Sequence, residues 1–203
     1  MNPVIKMINL KHLPLDNIQI NSPYGQRSIT VNEKYFWWHN GLDLKAEIDT
    51  PVYATADGKV MTAAYDNSYG YYVTLDHGKY GTLYAHLSRY EVKVGDSVKP
   101  GNIIGYAGST GDSTGPHLHF EIRLGSYEKF WERAHCDKSV FMNTIDPMPF
   151  IDDFLKKQNE LTLDEAVNIV QSAAGLEDKT MKYIAEYYKF GHDLVKKLAK
   201  AMV

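Results

Sequence analysis

The chain has a single cysteine among its 203 residues, which excludes an intramolecular disulfide and any zinc site built from several thiolates. It also lacks a run of about 18 apolar residues, so no segment is predicted to span a bilayer. Residues 1–10 contain Lys6 and Asn9 within their apolar stretch, and we find neither a signal peptide nor a membrane anchor there. A basic cluster is missing as well: 22 Lys and Arg are interspersed with 25 Asp and Glu, for a net charge of −3, which argues against a nucleic-acid partner.

What the chain does contain is 44% hydrophobic residues, enough for one good core with a small appendage. Between residues 18 and 123, short runs of strand-favouring residues alternate with glycine-containing turns, and no helix of ordinary length fits. This spacing indicates antiparallel β structure. The predicted strands are Val52–Thr55, Lys59–Ala64, Tyr71–Asp76, Thr82–His86, Val92–Val94, Ile103–Ala107 and His117–Arg123.

The last of these predicted strands carries two imidazoles, His117 and His119, two residues apart. Alternate residues of a strand share a face, so both rings and Glu121 should line one polar side of a half-buried strand, with the apolar residues between them on the other side. Histidine is the commonest metal ligand, so the pair suits a metal or a proton-transfer centre. The alternative is a pair of hydrogen-bonded surface histidines.

Two further histidine motifs lie upstream. His39 and Asp43 are four residues apart, but the glycine between them disfavours a helix and predicts a loop or a strand entry. Imidazole and carboxylate are both zinc ligands, and with one later histidine they would leave a coordination position open for water, as catalytic zinc needs. The alternative is a turn in which Asp43 caps backbone amides. His86 either belongs to the same site as His39 and Asp43 or is a core histidine hydrogen-bonded to a neighbour. His77 lies in a hairpin turn, which explains it fully, and it is assigned no chemistry.

Taken together, the motifs resemble the lysostaphin-type (M23) zinc metallopeptidases, which cut peptide bonds in bacterial peptidoglycan. The resemblance runs from about Ile20 to Ile151, and its motifs follow the order found in that family. It implies a mainly antiparallel β catalytic domain with its site in a long groove walled by loops. The motifs that carry it are Ser22–Arg27, His39–Asp43, Pro51–Gly58, Tyr84–Leu87 and Gly111–Ile122.

The resemblance also implies a role for each site residue. One Zn²⁺ per chain would be bound by His39, Asp43 and His119, and the catalytic histidines would be His86 and His117. Zinc lowers the pKa of a bound water toward about 7 and polarises the scissile carbonyl. Two imidazoles can then share the tasks of taking a proton from water and delivering one to the departing amine. Which of the two gives and which takes stays open.

The substrate groove departs from the family pattern. Tyr71 stands where relatives often carry a small polar residue, and the bulky Trp37 and Trp38 adjoin a predicted ligand. We predict that these three residues and Arg27 line the groove.

Residues 125–144 form a segment longer than the loop that usually leads to the closing Asp-Pro, here at residues 146 and 147. We interpret it as an insertion that packs on the groove or overhangs it. Its His135-Cys136 pair is not needed for zinc, because the ligand set is already complete.

Two other functions compete with the peptidase. Residues 92–101 resemble the hairpins of biotinyl and lipoyl carrier domains, which belong to the related barrel-sandwich hybrid architecture. No lysine stands at a hairpin tip between hydrophobic partners, however, and a carrier needs no set of five ordered His and Asp positions. A family member that has lost catalysis and serves as a binding or activating module is the other alternative. Such modules usually lack ligands, and all five positions are present here, so a zinc-dependent peptidoglycan endopeptidase is the preferred hypothesis.

After residue 151 the composition changes to helix, which predicts a small all-α unit at the C-terminus. We divide the chain into an N-terminal extension (1–17), the catalytic domain (18–151), a linker (152–159) that is itself short helix or coil, and three helices (160–203). The first of these helices opens at the capping box Thr162–Glu165 and ends at Gly175. Docking on the catalytic domain and binding of the cell wall or a protein partner are equally open as roles for this unit.

The peptidoglycan substrate lies outside the cytoplasm, so the enzyme needs a route to the cell wall. Without a signal peptide, we expect a phage or prophage lysin released by lysis, a virion-borne wall hydrolase, or export without a cleaved signal. The sequence leaves open whether the bond that is cut lies between glycines or between D-alanine and a diamino acid.

Overall fold

The computed structural model describes residues 4–131, 141, 143–159, 163–174, 196 and 199. The chain divides into two compact units, residues 1–154 and 155–203. Within the described residues, the first unit is formed by strands that all pair antiparallel, which confirms the predicted fold class. The strands are β1 (Ile20–Ser22), β2 (Gly25–Val31), β3 (Lys34–His39), β4 (Leu42–Lys45), β5 (Pro51–Tyr53), β6 (Gly58–Asp66), β7 (Gly70–Asp76), β8 (Tyr80–Tyr90), β9 (Ser97–Val98), β10 (Ile103–Ala107), β11 (His117–Leu124) and β12 (Thr144–Ile145).

The main sheet runs in the order β1-β4-β11-β8-β7-β6-β9, with β10 paired to β5 and β8, and β12 paired to β11. β2 and β3 form a separate two-stranded sheet. The central position of β11 matters most for the site, because His119 is paired with Asp43 of β4 on one side and with Ala85 of β8 on the other. Residues that are 76 positions apart (Asp43 and His119) and 34 positions apart (Ala85 and His119) in the sequence are thereby placed on adjacent strands.

β11 differs from the half-buried strand that the sequence predicted. Leu118, at 0% exposed, belongs to the expected apolar face, but the polar face is buried too: His117, His119 and Glu121 are 8%, 7% and 0% exposed. The alternation of faces is therefore correct and the solvent exposure is wrong. Polar groups on this face hydrogen-bond to one another and to flanking segments, which allows their burial.

The pairing of β2 with β3 could not be read from turn residues. A hairpin with a two-residue loop of type I′ needs positive φ at both loop positions, which Asn-Gly supplies most readily. Here Asn32 and Glu33 adopt φ of 48° and 65°, and a glutamate gives no such signal. The predicted strand Val92–Val94 is also wrong: these residues precede a turn, and the short strand β9 follows it and pairs with β6.

Residues 8–15 pack into the first unit. Ile8, Leu10 and Leu15 are at most 7% exposed, and the backbone amides of Lys11 and His12 both donate hydrogen bonds to the carbonyl of Thr55. Part of the predicted N-terminal extension therefore contributes to the same hydrophobic core.

Among the residues that the structure describes, two α-helices lie toward the C-terminus: α1 (Met148–Asn159) and α2 (Leu163–Ala174). α1 covers the segment predicted as linker or short helix. In α2, Ala166 and Val170 are buried four residues apart, as on one face of an amphipathic helix. Thr162 of the capping box and the second and third predicted helices lie outside the described residues, and the domain boundaries stay predictions. No helix in the described part of the chain is long and apolar enough to cross a membrane.

Candidate metal centre

Three side chains from separate strands converge in the wall of one cavity: His39 of β3, Asp43 of β4 and His119 of β11. Nε2 of His39 lies 3.1 Å from Oδ1 of Asp43 and 3.0 Å from Nδ1 of His119, and these last two atoms are 2.9 Å apart. Ligands at about 2.0–2.1 Å from a tetrahedral zinc ion lie roughly 3.3 Å from one another. The triangle of ligand atoms thus has nearly the size that zinc needs.

The other ring nitrogens fix the tautomers of the two histidines. Nδ1 of His39 lies 2.7 Å from the carbonyl oxygen of Pro23, and Nε2 of His119 lies 2.9 Å from Oε1 of Glu121. A carbonyl and a carboxylate oxygen can only accept, so each of these nitrogens carries a proton. In the neutral rings the nitrogens of the triangle are then unprotonated, and three lone pairs converge with no protein donor between them. This donor set fits a cation.

Electrostatics support the same conclusion. A proton can take the place of a cation in this triangle. Burial disfavours the charged carboxylate of Asp43, but His119 and His39, which donate hydrogen bonds to it when their facing nitrogens are protonated, outweigh burial and lower its pKa well below the usual range. Burial likewise lowers the pKa of His39. For His119, burial favours the neutral ring, yet hydrogen bonds to Asp43 and Glu121 raise its pKa to about 9. The centre therefore stabilises positive charge at the point where the three ligand atoms meet.

His86 and His117 lie side by side next to this triangle, with ring centroids 4.7 Å apart. Nδ1 of His86 donates to the carbonyl of Thr110, and Nδ1 of His117 donates to the carbonyl of Gly115, each over 2.8 Å. Nε2 of each neutral ring is therefore free to accept a proton or to donate one it has taken up. Burial, followed by the neighbouring rings of His119 and His117, lowers the pKa of His86 to about 3, so His86 is neutral at neutral pH.

The backbone of β8 is distorted at His86. Its φ is 58°, a left-handed value that is uncommon for a residue other than glycine. Tyr71 of β7 pairs with Leu87 and Val73 pairs with Tyr84, so β8 contains one extra residue at this point. Such a bulge re-aims side chains next to functional sites, and the strain it stores points to a functional role for His86.

Gly41 makes the approach of β4 to β11 possible. A Cβ atom at position 41 would lie 2.6 Å from the carbonyl oxygen of Phe120 and 2.8 Å from Cε1 of His119. No side chain fits in this gap. Glycine between His39 and Asp43 thus lets both ligands reach His119.

The cavity has a volume of about 570 Å³, and all five predicted metal-binding and catalytic residues line it. Arg27 and Trp38 also line it, in agreement with the predicted groove. Trp37 and Tyr71, which were also predicted for the groove, are absent from the described lining of this cavity, because successive side chains of a strand point to opposite faces. Their neighbours Trp38 and Tyr72 occupy the wall instead.

Other lining residues were not assigned to the groove from the sequence: Asn40, Tyr69, Tyr72, Asp112, Ser113 and Thr114 among them. Trp131 and Phe141 come from the segment 125–144 and lie in the cavity wall, and the interpretation of this segment as an insertion stays a prediction. Its concentration of aromatic residues was the available signal. His135 and Cys136 lie outside the described residues.

Comparison with known proteins identifies the same region. Residues 38–130 match the model of peptidase family M23. The chain is 38% identical over 117 residues to the peptidoglycan DD-endopeptidase ShyC of Vibrio cholerae, covering 57% of this chain and 27% of that protein. The chain spans between 25% and 34% of the length of the curated relatives that head the comparison.

Two solved structures agree in fold as well as in sequence. A zinc-containing peptidase from Vibrio cholerae is 34% identical with a TM-score of 0.55, covering 70% of this chain and 40% of that one. The catalytic domain of the antimicrobial peptidase lysostaphin from Staphylococcus simulans is 37% identical with a TM-score of 0.57, covering 70% of this chain and 99% of that one. With that whole domain matched, and with the site motifs inside the matched region, the chain belongs to peptidase family M23.

Proposed function

We propose that this chain is a zinc-dependent endopeptidase that hydrolyses peptide bonds in bacterial peptidoglycan. The observation that carries the proposal is the triangle of ligand atoms formed by His39, Asp43 and His119, with two further imidazoles beside it. A relative named as a peptidoglycan endopeptidase and a structural neighbour described as a zinc-containing peptidase support the substrate class and the metal.

Three protein ligands would leave the fourth position of a tetrahedral zinc ion open for water. Zinc bound by three protein ligands supplies a Lewis acid that lowers the pKa of a bound water and polarises a carbonyl. His39 would bind it through Nε2, Asp43 through Oδ1 and His119 through Nδ1. Asp43 engages both histidines through that one oxygen, while its other oxygen, Oδ2, lies 3.5 Å from Arg27.

Proton transfer is the task of the remaining two histidines. Nδ1 of His86 donates to a backbone carbonyl, which leaves Nε2 of the neutral ring as the atom that can take a proton from the attacking water. His117 presents Nε2 from the adjacent ring, 3.5 Å from Oδ1 of Asp43. A pair of imidazoles this close can take up one proton and return it to the departing amine. Backbone carbonyls hold both rings, so neither has to reorient during the reaction.

The experiment that tests this function is digestion of purified peptidoglycan, followed by mass spectrometry of the fragments. New amine and carboxyl termini in the stem or cross-link peptides are expected, and they identify the bond. A sample stripped of metal is the control and should release nothing. An intact wall after prolonged incubation with zinc-loaded protein would favour the alternative of a silent binding or activating module.

The biological setting is a further part of the proposal. Acting on the cell wall is the expectation that follows from the family relationship. Phage origin, a virion-borne location, release by lysis and export without a cleaved signal stay predictions. A wall or protein partner for the C-terminal helices also stays a prediction.

A further inference from the structure

We propose that Glu121 and Arg123 form a positioning pair that fixes His119 in the orientation and tautomer a metal ion needs, and that residues of the segment 125–144 hold this pair in place. The inference rests on the metal centre proposed above. Neither residue touches the substrate or the metal; both act through His119.

The pair follows from the alternation of β11. Residues 119, 121 and 123 project from the same face, and each contacts the next. His119 donates from Nε2 to Oε1 of Glu121 over 2.9 Å, and Arg123 donates from Nε to Oε2 over 2.6 Å. Glu121 and Arg123 are both 0% exposed. The order His-x-Glu-x-Arg in one strand is thus a continuous chain of charge-assisted hydrogen bonds that ends at a ligand.

Tyr69 closes this chain into a ring. Its hydroxyl donates to Oε1 of Glu121 over 3.0 Å and accepts from Nη2 of Arg123 over 2.9 Å. The carboxylate of Glu121 is consequently fixed through both of its oxygens. An acceptor held this firmly permits one orientation of the His119 ring, with Nδ1 toward the ligand triangle.

The charges explain why a glutamate stands here. A carboxylate that accepts from a ligating histidine makes the ring a stronger ligand than a neutral acceptor would. A buried carboxylate without a partner is costly, however, and Arg123 offsets that cost. The arginine also occupies Oε2 of Glu121, so that oxygen is not available to compete for the metal.

Arg123 is in turn enclosed by the segment that follows β11. Its guanidinium lies against two adjacent aromatic rings, 4.7 Å from the centroid of Trp131 and 4.0 Å from that of Phe141, and the two rings contact each other edge to face. Nη1 of Arg123 donates to the carbonyl of Phe130. Planar guanidinium groups stack well on aromatic rings, which a lysine cannot reproduce.

Phe130 is itself accommodated by a glycine. A Cβ at position 81 would lie 1.8 Å from Cζ of the Phe130 ring, so Gly81 of β8 provides the space that the ring occupies. Trp131 and Phe141 line the cavity as well. The segment 125–144 therefore has two contacts with the site. It lines the cavity through Trp131 and Phe141, and it holds Arg123, which in turn fixes Glu121 against the ligand His119.

The competing interpretation is a buried ion pair that serves only the stability of the fold. Buried pairs contribute little net stability compared with apolar replacements, so this role alone explains the arrangement poorly. The two interpretations differ in a measurable way. A positioning pair affects zinc affinity more than it affects unfolding, whereas a purely structural pair affects unfolding alone.

The test measures the zinc dissociation constant of the full chain by competition with a chelator, together with the melting temperature of the metal-free protein. Glu121→Gln keeps the shape and the acceptor but removes the charge, and should weaken zinc binding by roughly 10–100-fold. The absorption spectrum of the cobalt-substituted variant should also change, because the geometry of His119 changes.

Tyr84→Phe is the matched control. Its hydroxyl is buried and hydrogen-bonded to Thr55 and Thr82, but it does not contact His119. This variant should lose stability while its zinc affinity and cobalt spectrum stay those of the wild type. Arg123→Lys keeps the positive charge but lacks the planar guanidinium group. Trp131→Leu removes one of the two aromatic rings that contact Arg123. Both variants should weaken zinc binding less than Glu121→Gln does.

Wild-type zinc affinity in Glu121→Gln would overturn the proposal. If that variant does not fold, Arg123→Lys and Trp131→Leu decide, and an unchanged dissociation constant in both would overturn it equally. Failure of the wild-type chain to bind zinc is a different result, because it would overturn the proposed function itself.

Discussion

The ring of His86 lies against that of His117 with centroids 4.7 Å apart, so the first histidine of the His-x-His motif is grouped with β8 rather than with the ligands. The second histidine of the motif is placed differently. Nδ1 of His119 lies 2.9 Å from Oδ1 of Asp43, whereas Nε2 of His117 lies 3.5 Å from the same atom. These positions support the proposal that the two histidines, although they share one strand face, have separate tasks.

Substitution of the two histidines should separate metal binding from proton transfer. His119→Ala should lose both zinc and activity, because one of three ligands is gone. His117→Ala should keep its zinc and lose roughly 10²–10⁴-fold in rate, the usual range for a positioned acid–base group, and His86→Ala should behave alike. Zinc content by elemental analysis beside the hydrolysis rate checks this. Equal zinc loss from the His117 and His119 variants would refute the division.

Gly41→Ala should disrupt the centre even though it changes no functional group. The added Cβ would lie 2.8 Å from Cε1 of His119, which forces β4 and β11 apart. We expect weaker zinc binding and a lower melting temperature. Gly115→Ala is the matched control, since a Cβ there meets nothing within 4 Å. Wild-type zinc affinity in Gly41→Ala would show that the close approach of the strands is not required.

Arg27→Met tests whether the cavity wall binds substrate through its guanidinium. Nη1 of Arg27 is 3.5 Å from Asp43, and its buried Nε has no hydrogen-bond partner among the described residues. Burial lowers its pKa, which marks a cation held in a poorly solvated place where an acceptor on the substrate would satisfy it. KM for soluble muropeptides should rise with zinc content unchanged. Loss of zinc with an unchanged KM would instead assign Arg27 to holding Asp43.

His77→Gln should keep zinc and activity but change the dependence of stability on pH. His77 is hydrogen-bonded to Asp57 and Thr82 in a turn, and burial lowers its pKa. Below pH about 6.5 the unfolded chain takes up a proton at this position that the folded chain does not, so stability falls as pH falls. Between pH 7 and 5 the melting temperature of the variant should therefore drop less than that of the wild type. Parallel curves would contradict this reasoning.

The sequence identified the site better than it identified the groove. For His39, Asp43 and His119, residue type indicated metal-binding chemistry, and the ligand set came from the family resemblance; the structure brings these three side chains together. Trp37 and Tyr71, which were predicted for the groove, are not among the residues that line the described cavity. Trp37 and Trp38 are neighbours in one strand and point to opposite faces, so only one of them can face the cavity, and the sequence does not indicate which.

The features of the site that could not be predicted depend on contacts between residues far apart in the sequence or on irregular backbone. Nothing in the sequence around Arg123 indicates that Trp131 and Phe141 contact it, because the segment after β11 could fold back on the strand in many ways. The left-handed backbone of His86 was also beyond prediction, since strand propensity describes regular residues and this one is irregular. Contacts of the same kind bury the polar face of β11, as those of Trp131 and Phe141 with Arg123 do. The alternation of apolar and polar residues along the strand does not predict such contacts.

Reconstitution with zinc tests the central claim most directly. Metal-stripped protein is titrated with zinc while hydrolysis of a soluble muropeptide is followed. We predict that no cleavage occurs before zinc is added, that the rate rises in proportion to added zinc, and that it levels off at about one equivalent per chain, as one three-ligand centre requires. Full activity in thoroughly stripped protein, with metal absent by elemental analysis, would contradict the account.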